Sequence, residues 1–275
     1  MSLFNTIFGK KTPAIKDQNG PANSSYKEDW DFYFSNVEGF IGSFYIDLGL
    51  AKIAPQSSRP NLVWISVKMN YPRKDGLSSN EEFNTLSEME DRLQTFIVSR
   101  HQAVYAGRLT INNNRNFYFY LGDKTLCDKT ISEAMVAFPS YTYDYEIKED
   151  KEWESYSRFI YPNPKQLQSL HNRRVVDNLE KNGDTLTKAR PVQHWVYFKT
   201  KTDRNLFLSK IEELHFDVLS KNEKTSFGDF PFKLIISRVD HVDHHSVDDY
   251  VLDLWQLATA CNGDYDGWET SVEKD

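Results

Sequence analysis

Apolar and polar positions recur with two different periods along this chain, and the changes of period divide it into elements. Trp30-Asp31-Phe32-Tyr33-Phe34 and the stretches 43–48 and 62–69 are rich in aromatic and β-branched residues and predict strands. Asp75-Gly76 marks a turn. Over 81–99 the spacing becomes helical, with Phe83, Leu86, Leu93 and Ile97 on one face, Ser79 or Asn80 as N-cap, and Glu81 and Glu82 at the positive end of the dipole. Residues 104–111 and 117–121 predict a hairpin, because Asn112-Asn113-Asn114 between them tolerates the left-handed backbone of a tight turn. A helix over 126–138 stopped by Pro139, a strand over 141–147 and a short helical turn over 153–159 complete the first half.

Pro162-Asn163-Pro164 predicts a domain boundary, since two prolines in three residues interrupt any regular element. Beyond it the pattern predicts a helix over 165–181 closed by Asn182-Gly183, then strand 194–199, helix 203–214, strands 216–224 and 232–239, helix 244–261 and strand 265–272. That order is the βαββαβ of a ferredoxin-like sandwich, preceded by an extra helix. The expected fold class is therefore α+β in two domains, the first an antiparallel sheet with two helices. The expected limits are a flexible leader over 1–25, a domain over 26–162 and a second over 163–275.

Composition narrows this picture. The 275 residues are 39% hydrophobic and 27% charged, which is ordinary for globular domains and too apolar for a disordered chain. The net charge of −7 is unevenly spread, since residues 239–275 hold ten Asp or Glu against one Lys, and the rest of the chain is slightly basic. That terminal segment is unsuited to phosphate and suited to a basic partner. Two cysteines in different domains, Cys127 and Cys261, make neither a disulfide framework nor a zinc spacing, so a reducing, cytoplasmic setting is expected. No apolar run reaches the roughly 18 residues of a membrane span. The short apolar start (Met1, Leu3, Phe4, Ile7) is followed by Lys10-Lys11, the wrong order for a secretory signal.

The second half resembles the regulator of ribonuclease E activity B (RraB) family. The resemblance runs from Arg173-Arg-Val-Val-Asp-Asn-Leu-Glu-Lys-Asn-Gly-Asp184, through the strand at His194 and Leu214-His215-Phe216, to Leu254-x-x-Leu257-Ala258 and Gly263-x-Tyr265-Asp266-Gly267-Trp268. It implies a non-catalytic protein that inhibits an endoribonuclease by binding it. The first half resembles the bacterial family of unknown function DUF695, on Trp30–Phe34, Asp75-Gly76-Leu77, Tyr105-x-Gly107-Arg108-Leu109, Arg115-Asn-Phe-Tyr-Phe-Tyr120 and Asp150-x-x-Trp153-x-x-Tyr156 through Tyr161-Pro162. No chemistry comes with that resemblance.

Three constellations could carry function. Asp248, Asp249, Asp253, Asp264, Asp266 and Glu269 form the expected acidic protein-binding surface. On a regular strand, Asp264 and Asp266 would share one face and Glu269 would point the other way, with Tyr265 and Trp268 packing on the last helix. Arg108, Arg115 and Tyr118, among Phe117, Phe119 and Tyr120, could stack on single-stranded RNA, although alternation consigns one set of these side chains to a core and the overall acidity disfavours nucleic acid. His241, His244, His245, Asp248 and Asp249 have the residue types of a metal site, but they straddle a helix start where Asp243 is a natural N-cap, and adjacent His244 and His245 diverge. Capping is the preferred reading, and no metal or cofactor is expected. Cys127 lies near a helix N-terminus, where thiolate is favoured, with no histidine nearby in sequence; Cys261 lies on an apolar stripe. No phosphate loop, dinucleotide fingerprint, nucleophile elbow or paired-His helix is present, so no catalytic residue is assigned. The leading expectation is a binding protein whose partner is a basic protein, for which the resemblance implies an RNA-processing enzyme. The alternatives are an enzyme with a carboxylate and histidine site between the domains, and an RNA-binding protein.

Overall fold

The computed structural model describes residues 26–223 and 228–274; the expected leader lies outside them. The chain divides into two compact units, Met1–Pro162 and Asn163–Asp275.

The first unit is a six-stranded antiparallel sheet in the order β1-β2-β4-β5-β3-β6. Its strands are β1 (Trp30–Val37), β2 (Phe40–Asp47), β3 (Asn61–Lys68), β4 (Val104–Ile111), β5 (Asn114–Leu121) and β6 (Tyr143–Glu149), with helices α1 (Asn80–His101) and α2 (Cys127–Met135). Asn112 and Asn113 both take positive φ and close the β4–β5 hairpin in two residues. Glu38 (φ 52°) and Gly39 (φ 90°) do the same for β1 and β2, a turn that the alternation did not reveal. Ser79 is the N-cap of α1, but its side chain makes no capping bond.

Strand β5 is buried on both faces. Phe117, Phe119 and Leu121 join Met89, Leu93 and Ile97 of α1 and Ile131 of α2 in one core. On the other face Tyr120 stacks on Trp153 with centroids 4.0 Å apart, and Tyr118 meets Phe159 at 6.3 Å. Trp153 and Phe159 belong to the segment around a single π-helical turn, Ser155–Ile160, which lies against the sheet opposite the helices. Tyr156 and Tyr33 anchor it by donating hydroxyl bonds to the carbonyls of Asp47 and Ile160, both at 2.8 Å. The unit is thus layered on both sides of its sheet.

A bulge in β4 between Tyr105 and Gly107 brings Gly107 (φ 145°) against β2. A β-carbon there would lie 2.4 Å from the Tyr45 carbonyl oxygen and 2.9 Å from Ile46 Cα, both backbone atoms that cannot yield cheaply. Gly107→Ala is expected to destabilise this unit by about 1–3 kcal/mol or more, read as a lower urea midpoint; an unchanged midpoint would refute the close approach.

The second unit opens with α3 (Pro164–Lys181). Asn163 Oδ1 accepts from the Gln166 backbone N–H at 3.0 Å and Gln166 Oε1 accepts from that of Asn163 at 2.9 Å, while Pro164 occupies the first turn, where its missing N–H is harmless. Then follow β7 (Arg190–Phe198), α4 (Lys201–Ile211), β8 (Asp217–Asn222), β9 (Phe232–Asp240), α5 (His244–Ala260) and β10 (Gly263–Glu269). The sheet order β10-β7-β9-β8, all antiparallel, is that of a ferredoxin-like sandwich. Strand β10 starts two residues earlier and ends three earlier than the alternation suggested. Val192, Val196, Phe198, Leu234 and Ile236 face one way, onto Val176, Leu179, Phe207, Val247, Val251 and Leu254 of the three helices.

Among the described residues, no helix is long and apolar enough to cross a membrane.

Candidate functional site

The acidic segment is organised by one irregularity. Tyr265 pairs with Val196 and Trp268 with His194, positions two apart on β7, although Tyr265 and Trp268 are three apart in sequence. The extra residue is absorbed by a bulge between Tyr265 and Gly267, where Asp266 has no partner in the register and Gly267 takes φ 142°. Both aromatic rings therefore enter the core on the same side.

The bulge also corrects the expected distribution of carboxylates. Asp264 lies opposite Tyr197 and Glu269 opposite Gln193, four apart on β7, so Asp264 and Glu269 share the sheet face turned away from the helices. Between them Gly267 lies opposite Trp195, a partly exposed ring on that same face. No heavy atom lies within 4 Å of where a Gly267 β-carbon would be, so there is open space over the strand at the position opposite Trp195. Burial, and secondarily the charge of Asp266, raises the Asp264 carboxyl above its ordinary value.

The helix half of the expected surface behaves differently. Asp249 and Asp253 are exposed on α5, four residues apart. Asp248 is partly buried, and its Oδ1 accepts a 2.8 Å hydrogen bond from Asn172 Nδ2 on α3. Asn172 Oδ1 in turn accepts from Trp268 Nε1 at 3.1 Å and from Gln168 Nε2 at 3.0 Å. Asn172 is 1% exposed and joins α3, α5 and β10 through one amide. Asp248 is thus part of a structural tie, whereas Asp249 and Asp253 on α5 and Asp264 and Glu269 on the sheet occupy two separate surfaces.

Residues 28–161 match the model of the family of unknown function DUF695, and residues 169–270 match that of the family "Regulator of ribonuclease activity B". The chain joins a DUF695 domain to a ribonuclease regulator B domain. Among curated proteins, none matches the chain. One similar solved structure is an unknown protein from Galdieria sulphuraria, at 10% identity over 78% of this chain and 99% of that one, with a TM-score of 0.22. Another is a protein provisionally named a glycine cleavage system transcriptional repressor, at 11% identity over 77% and 98% of the two chains, also at 0.22.

In the regulator B domain, Asp243 caps α5 as its sequence position suggested, accepting from the backbone N–H groups of His245 and Ser246 at 3.1 and 3.0 Å. His245 pairs along the helix with Asp249 at 3.7 Å. His244 turns instead to α3, where its Nε2 lies 3.6 Å from Asp177 Oδ1 and 3.7 Å from Glu180 Oε2. The sequence reading missed this trio, because its partners lie more than sixty residues apart on different helices.

In the DUF695 domain, the hairpin that carries the candidate RNA-contact residues is largely covered. Arg115 and Tyr118 are each only 2% exposed. Arg115 donates to Thr110 Oγ1 at 3.2 Å and Ser78 Oγ at 3.1 Å. Arg108 is ion-paired with the buried Glu90 and lies over the Tyr45 ring. Alternation had assigned one set of rings to a core; covering on both faces of β5 buries both sets. Cys127 is fully buried, and burial, with a smaller effect of Asp128, pushes its thiol up to about 12, which opposes the thiolate expected at a helix start. Cys261 is a buried member of the second core, as its place on the apolar stripe implied.

Proposed function

We propose that this protein is a non-catalytic regulator that acts in the cytoplasm by binding a ribonuclease, and that its regulator B domain makes the contact through the sheet face around Trp195. The observation that carries this reading is the arrangement Asp264–Gly267–Glu269 along β10, with Trp195 beside the glycine. A partly exposed indole opposite a glycine, bordered by two carboxylates, fits the guanidinium or ammonium group of a basic protein segment, which can stack on the ring and pair with the rim. Asp249 and Asp253 on α5 add to the negative field that steers such a partner without touching the same group.

The test is inhibition and binding of a purified endoribonuclease from the same host by the full chain. Trp195→Ala, and separately Asp264→Asn with Glu269→Gln, are each expected to weaken binding at least tenfold, and raising the salt concentration is expected to weaken the wild-type complex. Undiminished binding by both variants would remove this face from the reading. Loss on Asp249→Asn with Asp253→Asn instead would move the contact to α5.

A further inference from the structure

We propose that Asp177, Glu180 and His244 form a zinc site that bridges the end of α3 to the start of α5. This inference is independent of the ribonuclease reading and uses none of the residues around Trp195.

The three ligand atoms all lie within 4.8 Å of one another. The two contacts from His244 Nε2, 3.6 and 3.7 Å, are too long for charge-assisted hydrogen bonds, which close to about 2.7–2.9 Å. They are close to the distance between neighbouring ligands on a tetrahedral zinc ion, roughly 3.3–3.5 Å for bonds of about 2.0–2.2 Å. One imidazole and two carboxylates supply three donors and leave a position for water, and imidazole among the donors favours zinc over magnesium or calcium.

The helix ends supply a second argument. Asp177 and Glu180 are one turn apart, so they repel each other, and they occupy the last turns of α3, at the negative end of its dipole. Lys181 is the basic residue of that last turn. His244 is the first residue of α5. Both carboxylates thus sit at the unfavourable end of their own helix. A divalent cation between them relieves both carboxylates and requires only a neutral imidazole.

The frame is also set in advance. Asn172 and Asp248 join the same two helices at 2.8 Å from a buried position, so their spacing is held without an ion. The ligands themselves are half-exposed, with side chains 42–52% accessible, which gives an ion free entry.

The experiment is titration of the untagged full chain with zinc chloride, followed by calorimetry and by thermal unfolding, with magnesium chloride as control. One equivalent of zinc is expected to bind and raise the midpoint, and magnesium is not. His244→Gln, and separately Asp177→Asn with Glu180→Gln, are expected to weaken binding at least tenfold while leaving the circular dichroism of the zinc-free protein unchanged, as half-exposed positions allow. His245→Gln is expected to bind zinc as wild type does. No saturable binding at 100-fold excess zinc, or binding undiminished in His244→Gln, would overturn the proposal.

Discussion

Replacing Arg190 by methionine is expected to destabilise the regulator B domain by about 3–5 kcal/mol, the loss typical when one member of a buried ion pair is removed. Arg190 and Asp184 are 3% and 1% exposed at their side chains and form a two-pronged pair, at 2.6 and 2.8 Å. Asp184 also accepts from the backbone N–H groups of Leu186 and Glu273, both at 2.8 Å, so it pins the chain beyond β10 to the loop between α3 and β7. Burial alone would raise the Asp184 carboxyl; the hydrogen bonds from Arg190, Glu273 and Leu186 outweigh it and hold the group down to about 2. Without the guanidinium, the carboxylate is left in a dry site with two amide donors. Urea unfolding followed by tryptophan fluorescence measures the loss. The double variant Asp184→Asn with Arg190→Met is expected to recover part of it, because no uncompensated charge remains. A single variant as stable as wild type would mean that the site is wetter than its burial implies.

Acid is expected to destabilise the same domain well before Asp184 is protonated, and His194 is the cause. Its ring is fully buried, with Nδ1 2.7 Å from the Tyr265 hydroxyl, and among edges of Phe216 and Tyr250. Burial first, and the nearby charge of Arg238 second, lower its proton affinity to about 3 from the ordinary 6.5. Above pH 6.5 the ring is neutral in the folded and unfolded chain alike, and stability from this group is complete. Between pH 6.5 and about 3 the unfolded chain takes up a proton that the folded chain refuses, so stability falls as pH falls. The slope approaches 1.4 kcal/mol per pH unit, for a total on the order of 5 kcal/mol across the window. Comparing denaturant midpoints at pH 7 and pH 5 for wild type and His194→Leu tests this. The variant is expected to lose most of that slope, whatever its stability at pH 7. An equal slope in both would assign the acid sensitivity to other groups.

What could be read from the sequence was what local chemistry determines. Asn112-Asn113 forces a two-residue turn, and Asp243 offers an oxygen to the N–H groups that follow it, whatever the rest of the chain does. The βαββαβ order followed from period changes of the same local kind. What stayed hidden depends on residues distant in sequence. The covering of Tyr118 and Tyr120 comes from a segment more than thirty residues later, so no inspection of the hairpin could tell that both its faces are dry. Asp248 reads in the sequence as one more surface acid, and only the fold brings Asn172, a residue within another helix, to hold it. The irregularity in β10 had one visible sign, the interval of three between Tyr265 and Trp268, which strict alternation cannot place on one side.

That interval makes the strand a phase shifter. Everything before Asp266 alternates in one phase and everything after Gly267 in the other, so deleting Asp266 would remove the bulge and restore strict alternation, leaving Tyr265 and Trp268, then two apart, still on the core side. A strand of the present length paired without the bulge would instead turn Trp268 out of the core and Glu269 into it. The bulge therefore decides, for a fixed order of residues, which side of the sheet each one after Gly267 faces.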